Sequence, residues 1–198
     1  QRQSEVADAY DGGKLYRDNT DSNSYIENGK LVIKGTKEGI NYRSAKLITM
    51  DSMNFQYGYF EIKAKLPKGK GMWPGFWTNT KFGDKAFSEI DVMEMFGQSD
   101  TIHSTVHRWW MVDSGNGHEQ LNCYVPSQRF YTLKNNELFN DDFHTIGCEW
   151  TDEYIAFYLD GIKYTEVDIT AENMDVFHQP LYLIISMAVG LTGIEKPD

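Results

Sequence analysis

Cysteine is scarce in this chain of 198 residues, with only Cys123 and Cys148 present. A disulfide framework is thereby excluded, and one bridge at most can form. No apolar run reaches the roughly eighteen residues that a membrane-spanning helix needs, so no membrane insertion is expected. The amino terminus, Gln1-Arg2-Gln3-Ser4-Glu5, has no signal-peptide core, which leaves the compartment open. Positive charge is also in deficit: 19 Lys and Arg face 29 Asp and Glu, for a net charge of −10. Phosphate binding requires a concentrated basic patch and none is present, so nucleic acid is not an expected partner and a neutral ligand fits better. Helical periodicity is missing except at Ala171–Val176. There is no internal repeat, no low-complexity block and no linker-like shift in composition.

Several chemistries are absent as motifs. The chain has no G-x-S-x-G elbow, no P-loop and no G-x-G-x-x-G after a strand. Closely spaced oxygen ligands around a glycine turn, as in calcium loops, are not found, nor is the H-E-x-x-H spacing of catalytic zinc sites.

Aromatic residues, by contrast, make up 14% of the chain and there are 17 glycines, a balance that favours strands and turns. Asn28-Gly29 stands between two β-prone runs and Asp160-Gly161 between two more, each a tight-hairpin signal. Further strands are predicted at Tyr42–Thr49, Tyr57–Leu66, Met72–Thr78, Glu89–Phe96, Thr101–Arg108, Phe143–Trp150, Tyr154–Leu159, Ile162–Val167 and Leu181–Val189. Strand following strand with short turns implies an all-β, two-sheet sandwich forming one domain over residues 1–198. Residues 1–24 read as a loosely ordered lead-in with one short edge strand near Lys14–Arg17. Val112–Asn140 does not alternate cleanly and reads as a loop region laid over one face.

One predicted strand, Glu89-Ile90-Asp91-Val92-Met93-Glu94, carries three carboxylates in a segment otherwise built to be buried. Side chains alternate along a strand, so Glu89 and Asp91 share a face and Ile90 and Val92 take the other. Glu94 has the wrong parity, but one extra residue at Val92-Met93, a β-bulge, returns it to the acidic face. Leaning inward over Asp91, the two glutamates would then approach the ~5–5.5 Å carboxyl separation of retaining glycoside hydrolysis. A solvated acidic surface is the plainer alternative. Against it stand Trp73 and Trp77, whose flat rings suit the apolar face of a sugar, although core packing explains either one alone. His103, Thr105 and His107 share one parity on the next strand, and His107 leads into Trp109 and Trp110.

These residues resemble glycoside hydrolase family sixteen, whose signature is E-x-D-x-(x)-E on a strand, here in the bulged form seen in laminarinases, agarases and carrageenases. Tyr57-Gly58-Tyr59-Phe60-Glu61-Ile62-Lys63-Ala64-Lys65-Leu66-Pro67 and Gly71-Met72-Trp73-Pro74-Gly75-Phe76-Trp77 resemble a further family block, and residues 25 to 193 are covered overall. The resemblance implies a concanavalin-like jelly roll of two antiparallel sheets with a substrate cleft on the concave face. It implies a secreted or cell-surface, endo-acting, retaining hydrolase of a polysaccharide, with β-1,3- or mixed β-1,3/1,4-glucan first. β-Galactan or mucin-type glycan, and a non-catalytic lectin-like sandwich, are the alternatives. By the same resemblance Glu89 is the nucleophile, Glu94 the acid/base and Asp91 the helper between them. Trp73 and Trp77 would line the glycone side, and His107 with Trp109 or Trp110 the side beyond the cleaved bond. No cofactor is required, although a structural calcium is compatible with the fold. Departures from the family pattern are Lys85-Ala86-Phe87-Ser88 before the motif, Lys46 for an arginine, Ser186 for an asparagine and Gly190-Leu191 for a glycine pair. Strands resembling the family's first and last are not found, so either the chain is truncated or those edge strands are supplied otherwise, for example by strand exchange between the protomers of a dimer.

Overall fold

The computed structural model of the chain describes residues 1–17, 21–80, 86–97, 99–113, 115, 119–192 and 197, so Lys85 lies outside the described residues. Sixteen strands are found among them. They are β1 Glu5–Asp8, β2 Lys14–Arg17, β3 Ser24–Glu27, β4 Lys30–Ile33, β5 Thr36–Glu38, β6 Asn41–Ser44, β7 Lys46–Ile48 and β8 Gly58–Ala64. The second half has β9 Met72–Thr80, β10 Ala86–Glu94, β11 Thr101–Asp113, β12 Glu119–Thr132, β13 His144–Trp150, β14 Tyr154–Leu159, β15 Ile162–Asp168 and β16 Leu181–Val189. The helical signal at Ala171–Val176 is realised as a short 3-10 segment, Glu172–His178. Both hairpin signals hold. Asn28 and Gly29 have φ of 50° and 73°, and Asp160 and Gly161 have 49° and 78°, the positive pair that a two-residue turn between right-twisted strands requires.

Two antiparallel sheets form the sandwich. One has six strands in the order β12-β11-β10-β9-β16-β7, the other four in the order β15-β14-β13-β8. Alternation drives the inner face of each into a shared core. Ile90, Val92, Met93 and Met95 in and just after β10 meet Ile146, Cys148 and Trp150 of β13 and Ile155 and Phe157 of β14. Trp150 is fully buried and donates its indole N–H to the Phe177 carbonyl at 2.9 Å, so the largest side chain of the core leaves no polar atom unpaired. The 3-10 segment closes the same core with Met174, Val176 and Phe177.

Two expectations are corrected. The strand expected at Lys14–Arg17 is present as β2, but the lead-in also holds β1, and β2 is internal rather than an edge, in a small sheet of order β1-β2-β6-β5 where it pairs in parallel with β6. Val112–Asn140 is dominated not by a loop but by β12, which pairs with β11 from Thr132 opposite Thr101 to Glu119 opposite Asp113. As the outermost strand, β12 exposes residues on both faces, so the inside/outside alternation that betrays a strand is missing.

The extra residue in β10 lies where the parity argument placed it. Against β11, Asp91 faces Thr105 and Glu94 faces His103, three steps matched by two. Against β9, Asp91 faces Trp77 and Glu94 faces Gly75, the same mismatch. Val92 and Met93 are consequently both buried in the core, and Glu94 returns to the face of Glu89 and Asp91. Deleting Val92 should remove the bulge and keep Glu94 on that face. The expected loss is about 1.5–3 kcal/mol for the buried valine, read from urea midpoints. A variant that cannot fold would overturn this reading of the register.

Candidate active site

The outer face of the six-stranded sheet is assembled from alternate residues of neighbouring strands. β10 supplies Glu89, Asp91 and Glu94, β9 supplies Trp73, Gly75 and Trp77, and β16 supplies Ser186 and Ala188. Together with Glu5, Arg17, Lys46 and Leu191 they line a cleft of about 300 Å³. Asp91 is the most enclosed of the acids, 3% exposed. Each glutamate has a donor of its own: Asn79 Nδ2 donates to Glu89 Oε2 at 3.1 Å, and the Trp73 indole N–H donates to Glu94 Oε1 at 2.9 Å. His107 Nε2 lies 2.9 Å from Asp91 Oδ2 and 3.9 Å from Glu89 Oε1. The nearer approach is not a hydrogen bond, because Asp91 Oδ2 finds no aligned donor.

Burial dominates the electrostatics. It pushes the Glu89 carboxyl up to about 8, with the Asp91 charge adding to it and His107 and the Asn79 amide opposing. Asp91 is raised well above the usual carboxylate range by burial and then by Glu94, and no group lowers it. Burial also raises Glu94, against the Trp73 N–H and His107. Repulsion exists only between ionised members, so the cluster favours a single negative charge. Two glutamates on one face, each with a donor of its own and both raised by burial, can serve as a carboxylate and a carboxylic acid in one reaction.

The structure brings together most of the residues that the sequence singled out. Trp73 sits against Glu94 and against Phe96, ring centres 5.2 Å apart. Trp77 donates its N–H to Ser186 Oγ at 3.0 Å, and the Lys46 ammonium lies 5.0 Å from its ring centre. Trp109 stacks on His107 at 5.5 Å and on Phe87 at 6.2 Å. His103 packs among Phe96 and Phe130 beside Glu94. Trp110 is the exception. Adjacent residues of a strand cannot share a face, and Trp110 lies with Arg108, whose guanidinium is 5.5 Å from its ring centre and 3.6 Å from Asp175. It lies on the face of the sheet opposite the acids.

Asn79 escaped the sequence reading although it continues the series Trp73, Gly75, Trp77 at steps of two, a signal that was available. Glu5 and Arg17 carry no such signal. Arg17 Nη2 lies 2.6 Å from Glu5 Oε1, and Lys46 Nζ lies 3.4 Å from Glu5 Oε2, so an end wall of the cleft comes from strands distant in sequence. Cys123 is exposed, Cys148 is buried and both are free thiols. Glu89, Asp91 and His107 place one ligand atom each within 4.8 Å of one another. Two carboxylates and an imidazole fall short of the six to eight oxygens that calcium takes.

A β-sandwich with paired glutamates around a buried aspartate, in a cleft walled by indoles, has the architecture of a carbohydrate-active protein. The family model described as "Glycosyl hydrolases family 16" matches residues 12–194, and the chain belongs to that family. It is 32% identical over 185 residues to the beta-glucanase of Rhodothermus marinus, covering 85% of this chain and 61% of that one. With glucan endo-1,3-beta-glucosidase A1 of Niallia circulans it shares 30% identity over 197 residues, 87% of this chain and 27% of that one. The chain thus spans less than two thirds of the length of these curated relatives. Among solved structures, the endo-beta-1,3-glucanase from Pyrococcus furiosus matches at a TM-score of 0.72 and 34% identity, over 93% of this chain and 73% of that one.

The raised carboxyls have a consequence for stability. Glu89 binds its proton more tightly in the folded state, so between its ordinary value of 4.5 and about 8 the folded state holds more protons than the unfolded chain, and stability falls as pH rises. Glu89→Gln removes that contribution. Its melting temperature should match wild type near pH 4.5 and exceed it at pH 8. A wild-type melting temperature that climbs across this interval would contradict the assignment.

Proposed function

We propose that this chain is an endo-acting, retaining glycoside hydrolase that cuts internal β-linkages of a β-1,3- or mixed β-1,3/1,4-glucan. The observation that carries the proposal is the bulge-restored alignment of Glu89, Asp91 and Glu94 on one face, each glutamate with its own donor and Asp91 buried between them.

In this scheme the Glu89 carboxylate attacks the anomeric carbon as the glycosidic C–O bond breaks, and Glu94 gives its proton to the departing oxygen. The products of the step are a glycosyl ester on Glu89, a free sugar hydroxyl and a Glu94 carboxylate. Esterification removes the charge on Glu89, so ionised Glu94 no longer faces it and can act as a base. It takes a proton from water, whose oxygen attacks the anomeric carbon and releases Glu89 with net retention. Asp91 stays between the two and limits the charge the cluster holds. The indole walls at Trp73 and Trp77 offer surfaces that suit pyranose rings. The names of the relatives above support glucan as the substrate class.

Glu89→Gln and Glu94→Gln test the roles on β-1,3-glucan and mixed-linkage glucan. Loss of the acid should reduce kcat by about 10²–10⁴-fold, and loss of the nucleophile at least as much, while oligosaccharide binding by Glu89→Gln persists. Proton NMR of the first products should show the β-anomer, and product sizing should show oligosaccharides. Full turnover by Glu89→Gln, an α-anomer formed first, or monosaccharide alone would each defeat the proposal. Oligosaccharide binding by wild type without turnover of any glycan would favour the lectin-like alternative.

A further inference from the structure

His107 enters the acid cluster from β11, and what holds its imidazole lies on β12. The β11–β12 ladder shifts register at this point: Val106 faces Ser127 and Arg108 faces Tyr124, so two steps on β11 are matched by three on β12. The extra residue falls at Val125-Pro126, where proline has no N–H to contribute to a ladder. His107 is therefore left without a regular partner directly opposite. Cys123, which pairs with Trp109, comes within reach instead, and its Sγ lies 3.5 Å from His107 Nδ1. The other edge of the ring meets Asp91 at 2.9 Å and Glu89 at 3.9 Å. Trp109 stacks on the ring with 22° between planes. Such a stack fixes the plane of an imidazole and leaves the placement of its proton to its edges.

We propose that Cys123 and His107 form a positioning pair for the acid cluster, in which the thiol S–H donates to Nδ1 and thereby commits the imidazole proton to Nε2, the ring nitrogen nearest Asp91 and Glu89. The inference rests on the catalytic reading of those acids given above. A neutral imidazole has one N–H and one acceptor nitrogen, so a donor at Nδ1 commits the proton to Nε2. Cys123 is suited to be that donor, since burial, Glu89 and Asp91 all push its thiol above the ordinary value and keep its proton in place. The ionisable groups facing His107 are Glu89 and Asp91 from β10 and Cys123 from β12, with Glu94 acted on from further along the strand. With the proton on Nε2, the positive end of the N–H dipole lies on the side of the ring nearest the acids, 2.9 Å from Asp91 and 3.9 Å from Glu89 at the nitrogen. Neither residue needs to touch the sugar.

Cys123→Ser keeps a donor and Cys123→Val keeps the bulk without one, and exposure of the site makes both compatible with folding. In ¹⁵N-histidine-labelled protein, two-bond proton–nitrogen correlations report imidazole protonation, with the His107 signals identified by their absence in His107→Asn. Wild type and Cys123→Ser should show Nε2–H with a hydrogen-bonded Nδ1, and Cys123→Val should lose the Nδ1 signature. On β-1,3-glucan, Cys123→Val should lower kcat about five-fold, the scale of one net hydrogen bond, with KM unchanged and the pH profile of kcat/KM displaced. Cys123→Ser should restore both. A valine variant identical to wild type in imidazole spectrum and pH profile would overturn the pair, as would a serine variant that fails alongside valine. A wild type that hydrolyses no glycan would defeat the glucanase reading, while the spectra would still decide the Cys123–His107 contact.

Discussion

Alternation along β10 is the constraint on which the rest of the structure depends. One face of this strand must supply the sandwich core and the other must collect carboxyls, and a strand offers only two faces. The bulge reconciles them by adding a residue to the core face, so that Val92 and Met93 both face inward without moving Glu94 away from Glu89. β10 is central in its sheet, with β9 and β11 on either side, and both ladders record the same shift. A register held from two sides cannot slip by one residue without expelling Ile90 and Met95 from the core and burying the acids in it.

The same arrangement explains why the acids can be kept buried. Placing carboxyls in a buried cleft costs stability, and the two glutamates are each given a compensating partner. Asn79 and Trp73 each supply a hydrogen bond, and His107 supplies an opposing dipole or charge. Directly beneath, Ile90, Val92, Met95, Trp150, Ile155 and Phe157 form a core whose apolar burial outweighs that cost. The site and the core are two faces of one sheet, so the energy stored in one is sustained by the packing of the other.

Much of this was legible in the residues because it depends on local rules. Asn-Gly and Asp-Gly turns, strand alternation and the parity of Glu89, Asp91 and Glu94 all act over a few positions. Where local rules lapse, so did the reading. β12 exposes residues on both faces and lost its alternation, β1 is a short strand with little apolar signal, and the parallel pairing that makes β2 internal joins it to β6, distant in the chain. Adjacency does not say which of Trp109 and Trp110 accompanies His107, because neighbours on a strand point apart and the register alone separates them.

By itself the sequence determined the all-β class, the hairpins, the family and the three acids, because these follow from spacing along one chain and from the chemistry of single side chains. Only the tertiary structure decided which groups surround those acids. Asn79 against Glu89, Trp73 against Glu94, His107 between Asp91 and Cys123, and Glu5 with Arg17 at the cleft wall are contacts between strands. Their geometry arises when sheet pairing and inter-sheet packing set the register, and no single stretch of the chain contains that information.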